Sequence, residues 1–262
     1  MDFFQTFIFS IVQGVGEFLP ISSSANMDIV SKILSVREFD FGMKITFHAG
    51  SLISLIIYFR KTLWRIILGL FTNNVKLSQT AFSTLVLATI PVIFVGVVAH
   101  SFIKNFNSTV VSGLMLITFG IILWLSDTVS GKKIAQRCTT CTYVRDFCIG
   151  MAQSMAFIPG VSRLGICTTA CRLFGLNRKQ AISISLLLAI PSIAGSLCIE
   201  IVNILKSGLP CEFSFNHALG IALTGLIGIV ALPICVKYME NRGFFGIMCY
   251  RIIIGLATIF WL

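Results

Sequence analysis

The sequence predicts an all-α integral membrane protein with an inverted-topology repeat, in which each half holds one re-entrant helix pair and three transmembrane helices. Hydrophobic residues account for 56% of the 262 residues and charged residues for only 11%, whereas soluble domains carry about 25% charged residues. Several apolar segments reach the ~20 residues that a helix needs to cross a bilayer. This composition argues against a disordered chain and against a soluble nucleic-acid-binding protein.

The first apolar stretch, 3–34, is interrupted in its middle. Gly16-Glu17-Phe18-Leu19-Pro20 is followed after one residue by three serines, and a continuous helix does not accommodate a proline followed by polar residues. Non-helical backbone at membrane depth persists only where it lines a cavity or is buried in protein. The stretch is therefore predicted to be a re-entrant helix–loop–helix pair.

Three apolar segments of transmembrane length complete the first half; they lie at 41–59, 81–99 and 109–126. Residues 62–80 are predicted to hold a short interfacial amphipathic stretch and a loop, because Trp64 and Arg65 suit the headgroup region. The first repeat is therefore predicted to cover 1–127, and a basic cytoplasmic loop over 128–145 follows it.

The second half, 146–262, has the same layout. Its first stretch, 146–171, is interrupted by Phe157-Ile158-Pro159-Gly160 and Ser162-Arg163, which echo the break in the first half. Three apolar segments follow, at 181–203, 216–236 and 244–262. Because the broken stretch and the three segments recur in the same order, the sequence predicts a single membrane domain of two repeats.

Basic residues, which give the chain a net charge of +10, are unequally distributed among the loops. Four loops carry two or more each: 60–80, 127–145, 172–180 and 237–243. Two loops carry one each: 100–108 and 204–214. The positive-inside rule places the first four in the cytoplasm, so Cys138 and Cys141 are predicted to be reduced thiols. The two re-entrant pairs then enter from opposite sides, and a site is expected where they meet near the midplane.

Ionisable side chains within apolar segments are costly and mark candidate functional sites. Glu17 is flanked by apolar residues. The serines after it are expected to cap the next helix, and the same hydroxyls and the helix amides can also form an anion cradle. Arg163 suits bidentate phosphate recognition, although a structural ion pair with Glu17 is the alternative. His48 and Arg251 are predicted to pack or pair near the interface.

Two stretches carry a family resemblance. Residues 13–26 read Gln-Gly-Val-Gly-Glu-Phe-Leu-Pro-Ile-Ser-Ser-Ser-Ala-Asn, and residues 159–165 read Pro-Gly-Val-Ser-Arg-Leu-Gly. They resemble the two signatures of the undecaprenyl-diphosphate phosphatases of the BacA/UppP type. Phe47-His48-Ala49-Gly50-Ser51 and Tyr250-Arg251 are lesser matches. The resemblance extends over essentially the whole chain.

The resemblance implies hydrolysis of undecaprenyl diphosphate to undecaprenyl phosphate and inorganic phosphate. This reaction recycles the lipid carrier of peptidoglycan and surface-glycan synthesis, and its loss sensitises cells to bacitracin. Family members use a divalent cation, Mg²⁺ or Ca²⁺, in the bacterial inner membrane, with the site facing the periplasm. The implied partners are a polyprenyl diphosphate lipid and membrane lipids, with no nucleic acid; a homodimer is an open alternative to a monomer.

The resemblance also assigns roles to individual residues. Glu17 would hold the metal or act as general base, Ser23 would be the nucleophile or a phosphate ligand, and Arg163 would grip the diphosphate. The remaining matches are expected to bind substrate: Gln13, Ser22, Ser24, Asn26, Ser162 and Thr168.

The sequence departs from the family pattern at three positions. Asn26 stands where members carry His, Leu164 where they carry a second Ser, and Gly16 where they carry Thr. Since Asn cannot take up a proton at working pH, we expect an active but slow phosphatase. Two alternatives stay open: a transporter of undecaprenyl phosphate, because inverted repeats with broken helices are typical of transporters, and a lipid-diphosphate binder with weakened catalysis.

Overall fold

The computed structural model describes residues 2–36, 41–71, 76–98, 108–133, 142–207 and 214–261. Within these ranges the chain is all-α, as predicted. The first five helices are α1 Phe3–Gly16, α2 Ser23–Ile33, α3 Phe41–Phe71, α4 Lys76–Val98 and α5 Thr109–Lys133. The next five are α6 Thr142–Ser154, α7 Arg163–Leu173, α8 Arg178–Ser207, α9 Phe215–Arg242 and α10 Phe245–Trp261.

Three helices in the described part of the chain are long and apolar enough to cross a membrane: Thr109–Ser130, Arg178–Lys206 and Phe215–Arg242. Shorter apolar helices lie at Phe3–Gly16, Phe82–Val98 and Phe245–Trp261. Large apolar side chains are exposed on the outer surface, among them Phe260, Val97 and Leu205. A surface of this kind is stable against lipid rather than water.

Both predicted interruptions are confirmed as helix breaks. The first lies between α1 and α2, and the second between α6 and α7, where a short 3₁₀ turn, Met155–Phe157, precedes the loop. Each break ends on a serine with left-handed backbone, Ser22 at φ 63° and Ser162 at φ 69°. Non-glycine residues adopt this conformation only when the surrounding structure requires it, so the two loops are held in defined shapes.

Two boundaries differ from the sequence prediction. Residues 62–71 continue α3 rather than forming a separate interfacial stretch. Helix α5 continues to Lys133 and α6 begins at Thr142, so both ends of the predicted 128–145 loop are helical. Polarity marks where a chain leaves the apolar layer, but a helix continues beyond that point when no proline stops it. Cys138 and Cys141 lie outside the described residues.

Helices of the two halves pack against each other rather than forming separate bundles. Helix α3 packs on α9, α5 on α10, α4 on α6, and α1 on α9. The contact between α4 and α6 is close, since a Cβ on Gly150 would lie 2.4 Å from the Ala88 carbonyl oxygen. A buried apolar cluster that includes Phe18, Leu164 and Leu186 joins residues of both breaks to α8. This packing brings the two breaks together inside the protein.

Candidate active site

The two breaks are joined by a buried ion pair. Arg163, the first residue of α7, donates from Nη2 to Oε1 of Glu17, the residue that follows α1. The side chains are only 19% and 7% exposed, respectively. An ion pair removed from water is stable only with good geometry and further hydrogen bonds. The stability of this pair therefore depends on the hydrogen bonds made by the second carboxylate oxygen of Glu17.

Oε2 of Glu17 accepts two hydrogen bonds. Ser23 donates from Oγ at 2.7 Å, and Gln13, one turn earlier on α1, donates from Nε2 at 3.1 Å. Both carboxylate oxygens are therefore satisfied, one from each break. The Ser23 hydroxyl points at a carboxylate within the distance at which a general base removes a proton.

Glu17, Ser23 and Arg163 line a cavity of about 380 Å³. Six residues predicted for the site contribute to its wall: Glu17, Ser22, Ser23, Ser24, Ser162 and Arg163. The walls also include side chains of α3, α4, α6 and α8, among them His48, Thr89, Gln153 and Ser192. The cavity thus brings one carboxylate, one guanidinium and several hydroxyls together in one space.

The first residues of α2 and α7 both lie on this cavity. Ser162 caps α7 by accepting from the Gly165 amide at 3.3 Å, and the Ser22 and Ser24 hydroxyls lie 3.2 Å apart. Helix N-termini carry partial positive charge and unpaired amides, which favour anions. Two of them beside Arg163 make a site suited to phosphate groups.

A comparison with known protein families gives the family of this chain. The family model described as "Bacitracin resistance protein BacA" matches residues 6–257. The chain belongs to this family. With three long apolar helices in its described part, this BacA family member is a multi-pass membrane protein.

Curated relatives agree with this assignment. A protein of Geotalea daltonii is 33% identical and one of Pelotomaculum thermopropionicum is also 33% identical, each over 99% of this chain and 98% and 96% of their own lengths. A protein of Alcanivorax borkumensis is 30% identical over the full length of both chains. All three are named undecaprenyl-diphosphatase.

Two of the predicted substrate-binding residues, Asn26 and Thr168, do not lie on the cavity. Asn26 is buried and turned away from the cavity: its Nδ2 donates to the carbonyl oxygens of Ile21 and Ser22 at 3.1 and 2.9 Å, and its Oδ1 accepts from Tyr250. Thr168 is fully buried and donates to Ser185 at 3.1 Å. Neither side chain lines the cavity, because each lies one or more turns beyond its helix N-terminus. Gln13 lies behind Glu17 and acts on the carboxylate.

The position of Asn26 leads to a prediction. Asn26→Ala leaves the Ile21 carbonyl and the Tyr250 hydroxyl without their Asn26 partner, and it removes the side-chain bond to the Ser22 carbonyl, which keeps its bond from the residue-26 amide. We therefore expect the free energy of unfolding to fall by about 1–3 kcal/mol. Denaturation in mixed detergent micelles measures this. Tyr250→Phe, which removes one of the same bonds, is expected to have a smaller effect in the same direction. Unchanged stability with a raised KM would instead indicate that Asn26 contacts the substrate.

Arg251 is a site residue that sequence reasoning assigned only to packing. Its side chain is fully buried, and its Nη1 donates to the Pro20 carbonyl oxygen at 3.0 Å. Its Nη2 donates to the carbonyl oxygens of Gly160 and Val161 at 2.8 and 3.1 Å, and its Nε to that of Leu116 at 3.0 Å. One guanidinium therefore ties both breaks to α5. The sequence offered one signal for this role: Arg251 is a charged residue in an apolar segment and lies in the matched pair Tyr250-Arg251.

The donor set bears on a metal ion. Within the described residues, no group of three or more His, Cys, Asp or Glu side chains could hold a metal. Mg²⁺ commonly binds through one or two carboxylates, waters and substrate phosphates. Glu17 with the Ser22 and Ser23 hydroxyls fits that requirement, provided that substrate phosphate completes the coordination.

Proposed function

We propose that this protein hydrolyses undecaprenyl diphosphate to undecaprenyl phosphate and inorganic phosphate, and so contributes to lipid-carrier recycling and bacitracin resistance. The observation that carries the proposal is the Glu17–Arg163 pair, which lies in one cavity with two helix N-termini and the Ser23 hydroxyl. Family membership and three relatives named undecaprenyl-diphosphatase support the same reaction.

The proposed chemistry begins with charge neutralisation. Phosphoryl transfer depends on holding the phosphorus in line and stabilising charge on the phosphate oxygens. Arg163 has five N–H donors, so it can keep its bond to Glu17 and still donate to the terminal phosphate. The amides at the N-termini of α2 and α7 add donors that are already oriented.

Ser23 is the proposed nucleophile and Glu17 its base. As the Ser23 Oγ forms a bond to the terminal phosphorus, its proton passes to Glu17 Oε2 over the existing 2.7 Å hydrogen bond. The bond from phosphorus to the bridging oxygen breaks, and undecaprenyl phosphate leaves with that oxygen. The departing undecaprenyl phosphate takes up the proton from Glu17, which restores the carboxylate. Water then attacks the phosphorus of the phosphoserine while its proton passes to Glu17, and the bond from phosphorus to Ser23 Oγ breaks. The Ser23 Oγ recovers its proton from Glu17, and inorganic phosphate is released.

We also propose a divalent cation, Mg²⁺ or Ca²⁺, as cofactor. Glu17 and the hydroxyls of Ser22 and Ser23 would hold it together with substrate phosphate. When bound, such an ion supplies positive charge to the phosphate oxygens.

The proposed setting is the bacterial inner membrane, with re-entrant helix pairs in an inverted repeat and the site facing the periplasm. The unequal basic charge of the loops supports this orientation. The five helices of each half follow the same order, and each break ends on a serine with positive φ, which supports the repeat.

The test is phosphate release from undecaprenyl diphosphate by purified protein in detergent. We expect release that stops on addition of a chelator and returns with Mg²⁺ or Ca²⁺. Detergent removes sidedness, so a pure carrier would release nothing. Tight lipid binding without phosphate release would contradict the proposal and favour a carrier or a weakened binder.

A further inference from the structure

The cavity continues past its charged end as an apolar cleft between α4 and α8. Its wall there is formed by aliphatic side chains of both helices, and three of these are strongly exposed: Ile93 at 60%, Val97 at 75% and Ile199 at 57%. In a membrane protein these exposed side chains face lipid. The cleft therefore connects the Glu17–Arg163 pair to the outer apolar surface.

Two glycines keep this cleft open. A Cβ on Gly195 of α8 would meet no atom within 4 Å, and a Cβ on Gly96 of α4 would first meet the Phe157 ring edge at 3.0 Å. Other glycines of this fold seat one helix directly against another, as Gly113 does where its Cβ would lie 2.6 Å from the Gly255 carbonyl oxygen. Gly195 has no such packing role, and its missing side chain leaves free volume beside Pro191 and Ile199.

The hydroxyls in the cleft wall are occupied by their own helices. Thr89 donates to the Leu85 carbonyl oxygen at 2.6 Å, Ser192 to that of Leu188 at 3.0 Å, and Ser196 to that of Ser192 at 3.1 Å. Each hydroxyl proton is thus already used within a helix. This part of the cavity offers apolar contact and free volume, whereas Arg163 and the two helix N-termini lie at the other end.

We propose that the α4–α8 cleft binds the isoprenoid chain of the substrate next to its diphosphate, and that Gly195 determines how much bulk is accepted there. This inference rests on the proposed function. A ligand that fills the whole cavity would be anionic at the end that holds Arg163 and the two helix N-termini, and hydrocarbon at the end that opens toward lipid. A polyprenyl diphosphate has this form.

A size series at Gly195 tests the assignment. A Cβ at this position would meet no atom within 4 Å, so Gly195→Ala introduces no steric clash, and Leu and Phe add increasing volume to the cleft. We expect kcat/KM for undecaprenyl diphosphate to fall with side-chain volume and to reach about 10- to 100-fold loss for Gly195→Phe, the range over which hydrophobic pockets discriminate by size. Ile201→Phe is the matched control, because Ile201 is exposed on α8 and does not line the cavity. Equal kinetics of Gly195→Phe and Ile201→Phe would overturn the proposal.

A binding measurement separates this inference from the hydrolytic function. Gly195→Cys in a Cys198→Ser background is treated with N-ethylmaleimide, and alkylation of the α8 peptide is followed by mass spectrometry. We expect undecaprenyl diphosphate to slow alkylation at least about 10-fold at saturation, and inorganic pyrophosphate to leave it unchanged. Protection requires no turnover, so it is expected even if phosphate release fails. Equal protection by pyrophosphate, or by phosphatidylglycerol alone, would show that the cleft is not an isoprenoid site.

Discussion

Glu17→Gln is expected to reduce phosphate release from undecaprenyl diphosphate by about 10²–10⁴-fold, the contribution typical of one general acid–base group. The amide has the size of the carboxylate but cannot accept the Ser23 proton, whose present acceptor is Glu17 Oε2 at 2.7 Å. It also replaces the ion pair with Arg163 by a hydrogen bond between a charged guanidinium and a neutral amide. Single-turnover phosphate release on folded, purified protein measures the loss without interference from product dissociation.

Arg163→Ala is the companion change and is expected to abolish release as well. It removes the guanidinium from the cavity and leaves the Glu17 carboxylate buried with only Ser23 and Gln13 as partners. Because an unpaired buried charge is destabilising, thermal denaturation of each variant accompanies the kinetics. Glu240→Gln, which removes a carboxylate outside the cavity, is the matched control and should retain activity. Wild-type rates in either Glu17→Gln or Arg163→Ala would remove the roles assigned here.

The sequence located the helix breaks and the two charged residues because each violates what a membrane helix tolerates. Proline followed by polar residues, and a lone charge among apolar residues, are local signals that need no knowledge of packing. Glu17 and Arg163 lie 146 positions apart, and it was the repeat that predicted their meeting. Their actual contact comes from the packing of first-half helices on second-half helices.

Side-chain direction beyond a helix N-terminus was not predictable in this way. Asn26 ends the first matched stretch and Thr168 lies just after the second, yet both point into packed protein and bond to Ser22 and Ser185, respectively. Which face of a short helix meets the cavity depends on how the loop before it is turned, and here Ser22 and Ser162 adopt a backbone that is rare for serine. A motif identifies the residues of a region but does not give their orientation.

Arg251→Met is expected to reduce kcat by about 100-fold, although Arg251 does not line the cavity. Its effect is on position, because the guanidinium binds carbonyl oxygens of Pro20 in the first break and of Gly160 and Val161 in the second. A misplacement of about 1 Å at reacting groups costs on the order of 10² in rate. The buried carbonyls left without a donor also lower stability, by about 1–3 kcal/mol each.

Conservative replacement distinguishes positioning from stability alone. Arg251→Lys keeps the charge and has three donors on a single nitrogen. It therefore cannot reach the Pro20 carbonyl of the first break and the Gly160 and Val161 carbonyls of the second at once. We expect Arg251→Lys to recover much of the thermal stability and little of kcat, with KM changing less than kcat. Arg178→Met is the matched control: Arg178 is bonded to Asp127 outside the cavity, so its loss should lower stability but leave kcat of the folded protein near wild type.

Equal effects of Arg251→Met and Arg178→Met on kcat would contradict this role for Arg251. If Arg251→Lys restored kcat and stability together, the carbonyls of the two breaks would need only a buried cation between them. The spacing of the breaks would then come from helix packing alone. If kcat stays low in a stably folded Arg251→Lys, the distance between Glu17 and Arg163 depends on a planar donor between the two loops. The reacting groups would then be aligned by a residue that never contacts the substrate, since Arg251 supplies donors to the buried carbonyls of both breaks.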